Sequence, residues 1–245
     1  MIVGGASGMA RATAERIAKG GGKVAILDRE GTAGPEAAAA IGGAFFACDI
    51  LDYEGFEKVM EEAVNWLGGL DAVVTTAGGG IGKRTLSKDG PHPLDDFRKV
   101  IDLNLVATFN ISRLAAWHMS KNEPNADEER GVIINTSSIA GFEGQIGQVA
   151  YGASKSAVAG MCLTMARDLG SFGIRVDAIA PSLFDTGITA GLPEEMKGPL
   201  TTDAAFPKRM GKPDEYARLA VAIIENPMLN GGCIRLDGGQ RFAPK

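Results

Sequence analysis

Apolar residues fall into short, nearly continuous runs separated by longer amphipathic stretches. Lys23–Asp28, Ala44–Cys48, Leu70–Thr75, Val132–Ser137, Ile174–Ala180 and Cys233–Leu236 have strand length and few polar interruptions, the pattern of strands covered on both faces. Met1–Val3 is a stub of the same kind, so seven strands are expected. Between them Arg11–Lys19, Tyr53–Leu67, Phe97–Met119, Ser154–Leu169 and Pro213–Ile224 repeat apolar side chains about every 3.6 positions, as amphipathic helices do. Pro213 suits a first helical turn, where a missing N–H removes no bond.

Strands that alternate with helices need crossover connections, and these lay helices over both faces of a parallel sheet. The fold class predicted is therefore α/β: a single-domain Rossmann fold with a doubly wound, seven-stranded parallel sheet flanked by helices. Two stretches break the rhythm. Asn122–Arg130 is polar and mostly acidic, a surface loop, while Pro181–Lys212 mixes Gly, Pro and scattered large apolar residues, as a lid would. With no repeat and no linker visible, residues 1–245 are expected to form one domain with a substrate lid at 182–212. A three-residue opening strand would form little ladder in mid-sheet, so further residues upstream or a less stable fold are expected.

Composition excludes several classes. The longest apolar runs fall far short of the roughly eighteen residues a membrane span needs. A net charge of −5 argues against a nucleic-acid partner, because phosphate binding draws on clustered Lys and Arg. Cys48, Cys162 and Cys233 are too far apart for a zinc motif or a disulfide framework and read as reduced core thiols. His92 and His118 lack ligand or triad spacing, so no metal is expected. No basic-then-apolar leader opens the chain, which reads as cytoplasmic.

Candidate chemistry begins directly after the first strand. Gly4-Gly5-Ala6-Ser7-Gly8-Met9-Ala10 leads into a helix, and small residues there let backbone approach a pyrophosphate at the positive helix end. Asp28 ends the next strand 20 residues after Gly8, where a carboxylate reaches ribose hydroxyls and repels a 2′-phosphate, favouring NAD. Arg29 beside it leaves NADP open. Asp49 closes the third strand, placed for an adenine edge or simply for a turn.

Tyr151 and Lys155 stand four apart at a helix start and so share one face. A phenol with a pKa near 10 needs roughly 3–4 kcal/mol of help to act as a base near neutrality. One ammonium at about 4 Å in a partly screened site supplies about that much. Ser138 follows a strand at the edge where ligands bind and could hold a substrate oxygen. Asn104 lies inside the long predicted helix, where a buried amide must find partners; a water leading toward Lys155 is the expected one.

Taken together, Gly4-x-x-x-Gly8, Asn104, Ser138, Tyr151-x-x-x-Lys155, Pro181 and Asp237-Gly238-Gly239 resemble the motif set of the short-chain dehydrogenases/reductases, over the whole chain. Lys121–Pro124, Gly131–Thr136, Phe142–Gln145 and Ile223–Pro227 are further similar to the branch of that family that works on 3-hydroxyacyl-CoA. The resemblance implies catalysis by Asn104, Ser138, Tyr151 and Lys155. It implies a cofactor held by Gly4, Ser7, Gly8, Met9, Asp28, Asp49, Ile50, Ala77, Gly78, Tyr151, Lys155, Pro181, Leu183, Phe184 and Thr186. Substrate contacts are implied for Ser138, Gln148, Tyr151, Leu183 and Leu192, with Met196, Leu200, Phe206 and Met210 offering more apolar lid surface. The implied activity is NAD-linked interconversion of 3-hydroxyacyl-CoA and 3-oxoacyl-CoA in a homotetramer, with hydroxysteroids and simple secondary alcohols as side substrates.

Three positions depart from the family pattern: Ala10 for the last glycine of the turn, Thr75 for an asparagine that bonds the central strands, and Ser182 for the glycine after Pro181. Alternatives sharing every catalytic residue are a 3-oxoacyl-carrier-protein reductase and a polyol or steroid dehydrogenase. A non-catalytic NAD-binding sensor is more remote, since it would have no need of the tetrad.

Overall fold

Every apolar run becomes a strand: Cys233–Leu236 keeps its sequence-based limits, Ile174–Ala180 gains one residue, and the others are shortened or shifted by one or two. In the computed structural model, which describes residues 1–187, 189, 195 and 198–243, the main sheet comprises β1 (Ile2–Val3), β2 (Ala25–Asp28), β3 (Ala44–Ala47), β4 (Ala72–Thr75), β7 (Gly131–Thr136), β8 (Ile174–Pro181) and β9 (Cys233–Leu236). All its pairings are parallel, in the order β3-β2-β1-β4-β7-β8-β9. The winding runs outward to β3, then returns to place β4 beside β1, so the strand order reverses between these two. Such a switch point opens a crevice at the carboxyl edge of the sheet.

The helices are α1 (Gly8–Lys19), α2 (Gly34–Ala40), α3 (Tyr53–Leu67), α4 (Leu94–Ile101), α5 (Ala107–Met119), α6 (Val149–Leu169) and α7 (Pro213–Glu225). Side chains alternate across the strands and feed two cores. Val3, Leu27, Val73, Ile133 and Val176 pack with Phe56, Met60 and Ile111 of α3 and α5. Ile2, Ile26, Val74, Ile134 and Ile179 pack with Ala14 of α1 and Tyr216 and Ile223 of α7. At about 1.5–3 kcal/mol for each large apolar side chain fully buried, these two layers hold the sheet between its helices. Ala10 fits the second layer with 1% exposure, so the methyl that replaces a family glycine is accommodated.

Two features differ from the sequence reading. The stretch Phe97–Met119 is not one helix: α4 passes into α5 through a π-turn at Asp102–Val106. A short antiparallel hairpin, β5 (Leu86–Ser87) with β6 (Gly90–Pro91), precedes α4; two-residue strands are too short to show a period. Cys48, Cys162 and Cys233 are free thiols, of which Cys162 is buried in the core and the other two are half-buried. No helix among the described residues is long and apolar enough to cross a membrane, and no cluster of potential metal ligands occurs among them.

Candidate active site

The turn leaving β1 is shaped by close backbone approach. Gly4 has φ +83°, and a Cβ there would lie 2.8 Å from the Ala77 nitrogen, so the turn after β1 and the loop after β4 meet without room for a side chain. Gly8 has φ +56°, with Thr186 only 3.0 Å from where its Cβ would be. Ser7, at the N-terminus of α1, is extended and makes no side-chain bond to its own helix. That end of the helix therefore presents its positive pole and a spare hydroxyl to the crevice.

Asp28 stands across this turn. Its Oδ2 accepts the Ala6 N–H at 2.9 Å and its Oδ1 the Arg29 N–H at 2.8 Å, which orients the carboxylate at the crevice edge. Two cavities meet there. One of about 490 Å³ is lined by Ser7, Gly8, Met9, Ser138, Tyr151, Lys155, Pro181, Leu183, Phe184 and Thr186; the other, about 360 Å³, by Asp28, Asp49 and Ile50. Gly4, Ala77 and Gly78 line both, so they form one elongated slot. A helix pole midway and a carboxylate at one end are the features with which such a crevice receives a dinucleotide. Asp49 also serves its turn, accepting the Leu51 N–H at 2.9 Å.

At the other end of the slot α6 starts at Val149, so Tyr151 lies in its first turn and Lys155 one turn on, on the same face. Ser138 leaves β7 in extended conformation, and its Oγ accepts the Ala140 N–H at 3.2 Å. Burial holds the Tyr151 phenol above its usual value, and a hydrogen bond with Ser138 partly offsets this. Lys155 is 4% exposed; its ammonium donates to the Thr136 carbonyl at 2.8 Å and sits 5.7 Å from the Tyr151 ring centroid. Burial brings the Lys155 pKa down to about 8. Both shifts have burial as their main cause, and in each group burial favours the neutral form.

Asn104 is held by main chain. The π-turn swings its fully buried side chain toward the loop after β4, where Nδ2 donates to Gly79 O (2.6 Å) and Val100 O (2.9 Å) while Oδ1 accepts Gly79 N–H (3.1 Å). Main chain thus takes both Nδ2 hydrogens and one of the two Oδ1 lone pairs. The amide still borders Lys155: a Cβ on Gly78 would lie 2.6 Å from Asn104 Oδ1 and 3.3 Å from Lys155 Nζ.

Gln148 is set apart from the slot. It lines a neighbouring cavity of about 570 Å³ between Lys83–Leu86 and Ala140–Ser156, with its Oε1 buried and unpartnered. Leu192 and Met196 lie outside the described residues. Thr76, Thr136, Ser137, Ser182 and Thr189 also line the slot and were not assigned to it from the sequence. Their position, at or just beyond the carboxyl ends of parallel strands for the first four, is the signal that would have found them. Thr75 keeps its place in the ladder, its carbonyl accepting Thr136 Oγ1 at 2.6 Å, but its own Oγ1 is buried without a partner, as is Nδ2 of Asn135, its register mate on β7. The bond that an asparagine would supply between the strands is missing there.

A dinucleotide slot at the switch point of a parallel sheet, with a phenol, a hydroxyl and an ammonium around one end, defines a nicotinamide-dependent oxidoreductase. The family model described as short chain dehydrogenase matches residues 1–197. The chain belongs to that family and acts on CH–OH groups. It is 47% identical over its full length to a protein of Drosophila melanogaster named 3-hydroxyacyl-CoA dehydrogenase type-2, covering 97% of that relative. The human protein of the same name is 45% identical, again over the full chain and 95% of the relative. Among solved structures, 3-hydroxyacyl-CoA dehydrogenase type-2 from Mycobacterium avium superposes with a TM-score of 0.94 at 40% identity, covering 100% of this chain and 96% of that one. A 3-oxoacyl-[acyl-carrier protein] reductase from Brucella melitensis reaches 0.84 at 29% identity, covering 99% and 90%.

Proposed function

We propose that the chain interconverts 3-hydroxyacyl-CoA and 3-oxoacyl-CoA with NAD(H) as cofactor. The observation that carries this reading is the full-length identity of 45–47% to relatives named for that substrate. NAD rather than NADP is supported by Asp28, whose oriented negative charge would repel a 2′-phosphate while its oxygens accept from ribose hydroxyls.

In this reading Gly4, Ser7, Gly8, Met9, Asp28, Asp49, Ile50, Ala77, Gly78, Pro181, Leu183, Phe184 and Thr186 hold the cofactor, which accepts or supplies the hydride when bound. Ser138 Oγ holds the substrate oxygen. In oxidation Tyr151 removes the hydroxyl proton, and in reduction it returns a proton to the oxygen. Lys155 stays close to the phenol and donates to the ribose side of the slot. Asn104 holds the Gly79 loop, and through it the gap between β4 and α6, at a fixed width. Leu183 offers apolar surface to the acyl part, and residues 182–212 act as its lid. Exposed Val106, Phe109 and Trp117 on the π-turn and α5, with Val149 and Leu163 on α6, support assembly through these helices into a homotetramer.

The test is NADH oxidation with acetoacetyl-CoA, run beside NADPH and an acetoacetyl carrier-protein thioester. A kcat/KM at least tenfold higher for the CoA ester with NADH is expected. The reverse preference would replace this reading with that of a carrier-protein reductase. Asp28→Ala should raise the NADH Kd about ten- to a hundredfold, the loss of roughly 1.5–3 kcal/mol in charge-assisted bonds, and should narrow the preference over NADPH in fluorescence titrations.

A further inference from the structure

Five residues past Ser138 stands a carboxylate that the reaction does not touch. Glu143 lies in the loop between the short 3-10 turn Ile139–Gly141 and α6, and its side chain is only 18% exposed. Its Oε1 meets Arg235 at 2.6 Å and Arg241 at 3.3 Å, and its Oε2 accepts the Phe242 N–H at 2.9 Å. Arg235 also bonds Asp237 at 2.7 Å and the Gln240 carbonyl at 3.1 Å, and lies 5.5 Å from the Phe142 ring centroid. Arg241 closes the circuit on Asp237 at 3.1 Å. Isolated surface pairs contribute little, but here two largely buried acids and two guanidinium groups form one ring, with no charge left over.

The C-terminal turn that carries this ring reaches the other way as well. Gln240, 2% exposed, donates to the Leu200 carbonyl at 2.9 Å, and Phe206 N–H donates to Gly238 O at 3.0 Å. Gly239, at φ +73°, comes so near that a Cβ would lie 2.9 Å from that of Ala205. One turn thus grips Leu200–Phe206, part of the expected lid, and through Glu143 the loop that begins at Ser138 and ends at Gln148.

We propose that Glu143 is a positioning residue. Through Arg235 and Arg241 it ties the Ser138 loop to the C-terminal turn, and the turn ties it to Leu200–Phe206, so the hydroxyl that holds the substrate oxygen is set by an ion-pair ring outside the slot. The inference rests on the role given to Ser138 under the proposed function. Removing the charge while keeping the shape should loosen both segments and leave the nucleotide half of the slot, built on β1, β2 and α1, untouched.

Glu143→Gln is the informative variant. For acetoacetyl-CoA reduction, kcat/KM is expected to fall about tenfold, since small misplacements of a reacting group have effects of this order or larger, with the NADH Kd within twofold of wild type. Arg235→Met should do the same, and the double variant should be no worse than either single one. Amide hydrogen exchange should quicken at residues 138–148 and at 200–206 together. A folded Glu143→Gln chain with unchanged kcat/KM, additive single effects, or faster exchange in one segment alone would overturn the proposal. If Glu143→Gln does not fold, Arg235→Lys, which keeps the charge but loses the planar fork, is judged by the same criteria. If wild type ignores acetoacetyl-CoA, the substrate reading fails instead; the exchange pattern and kinetics on any secondary alcohol it does oxidise still decide the role of Glu143.

Discussion

Tyr151→Phe is expected to lower turnover about a thousandfold, within the range that a lost general acid/base produces, while the NADH Kd stays within about twofold of wild type. The ring and its packing remain; only the hydroxyl and its bond with Ser138 go. Losing one neutral hydrogen bond costs about 1 kcal/mol, so the variant should fold. Steady-state kinetics beside a fluorescence titration of NADH check both halves. If cofactor binding collapsed along with turnover, Tyr151 would be a structural residue and the proton-transfer assignment would be lost.

Lys155→Met should abolish activity to a similar degree and at the same time stabilise the free chain near pH 7. The Lys155 pKa falls from the ordinary 10.5 to about 8 because the ammonium is buried. A lysine that binds its proton more weakly folded than unfolded destabilises the fold wherever the unfolded chain is protonated. That penalty is complete below pH 8 and fades as the pH rises toward 10.5. Its size is on the order of 3 kcal/mol, less the bond to the Thr136 carbonyl, so a net gain of about 1–3 kcal/mol is expected. Denaturant melts of wild type and variant at pH 7 and pH 10 test it: the advantage of Met should be largest at pH 7 and shrink at pH 10. A variant less stable than wild type at pH 7 would mean that the ammonium is well solvated or paired in the fold.

Much of this site was legible in linear order because its parts depend on local geometry. Four residues on a helix always bring Tyr151 and Lys155 to one face, and a glycine cluster between a strand and a helix always makes a close turn. Asp28 was readable because a strand end at fixed distance from that turn has few places to go. What linear order could not show depends on contacts elsewhere in the chain. Asn104 looked like a polar residue stranded in a helix because a π-turn has no signature in hydrophobic period, and its real partner, Gly79, is 25 residues away. Gln148 was assigned to the substrate through the family resemblance alone, and it lines the neighbouring cavity beside the slot.

By itself, then, the order of residues determined the alternation of strands and helices, the nucleotide turn, the pairing of phenol with lysine and the family these imply, all of which follow from contacts within a few positions. Only the folded chain decided how deeply Tyr151 and Lys155 are buried, what main chain holds Asn104, and how Glu143 meets Arg235, Arg241 and the turn beneath the lid. Those depend on burial and on encounters between segments up to about a hundred residues apart, and neither desolvation nor long-range approach is written in any local pattern.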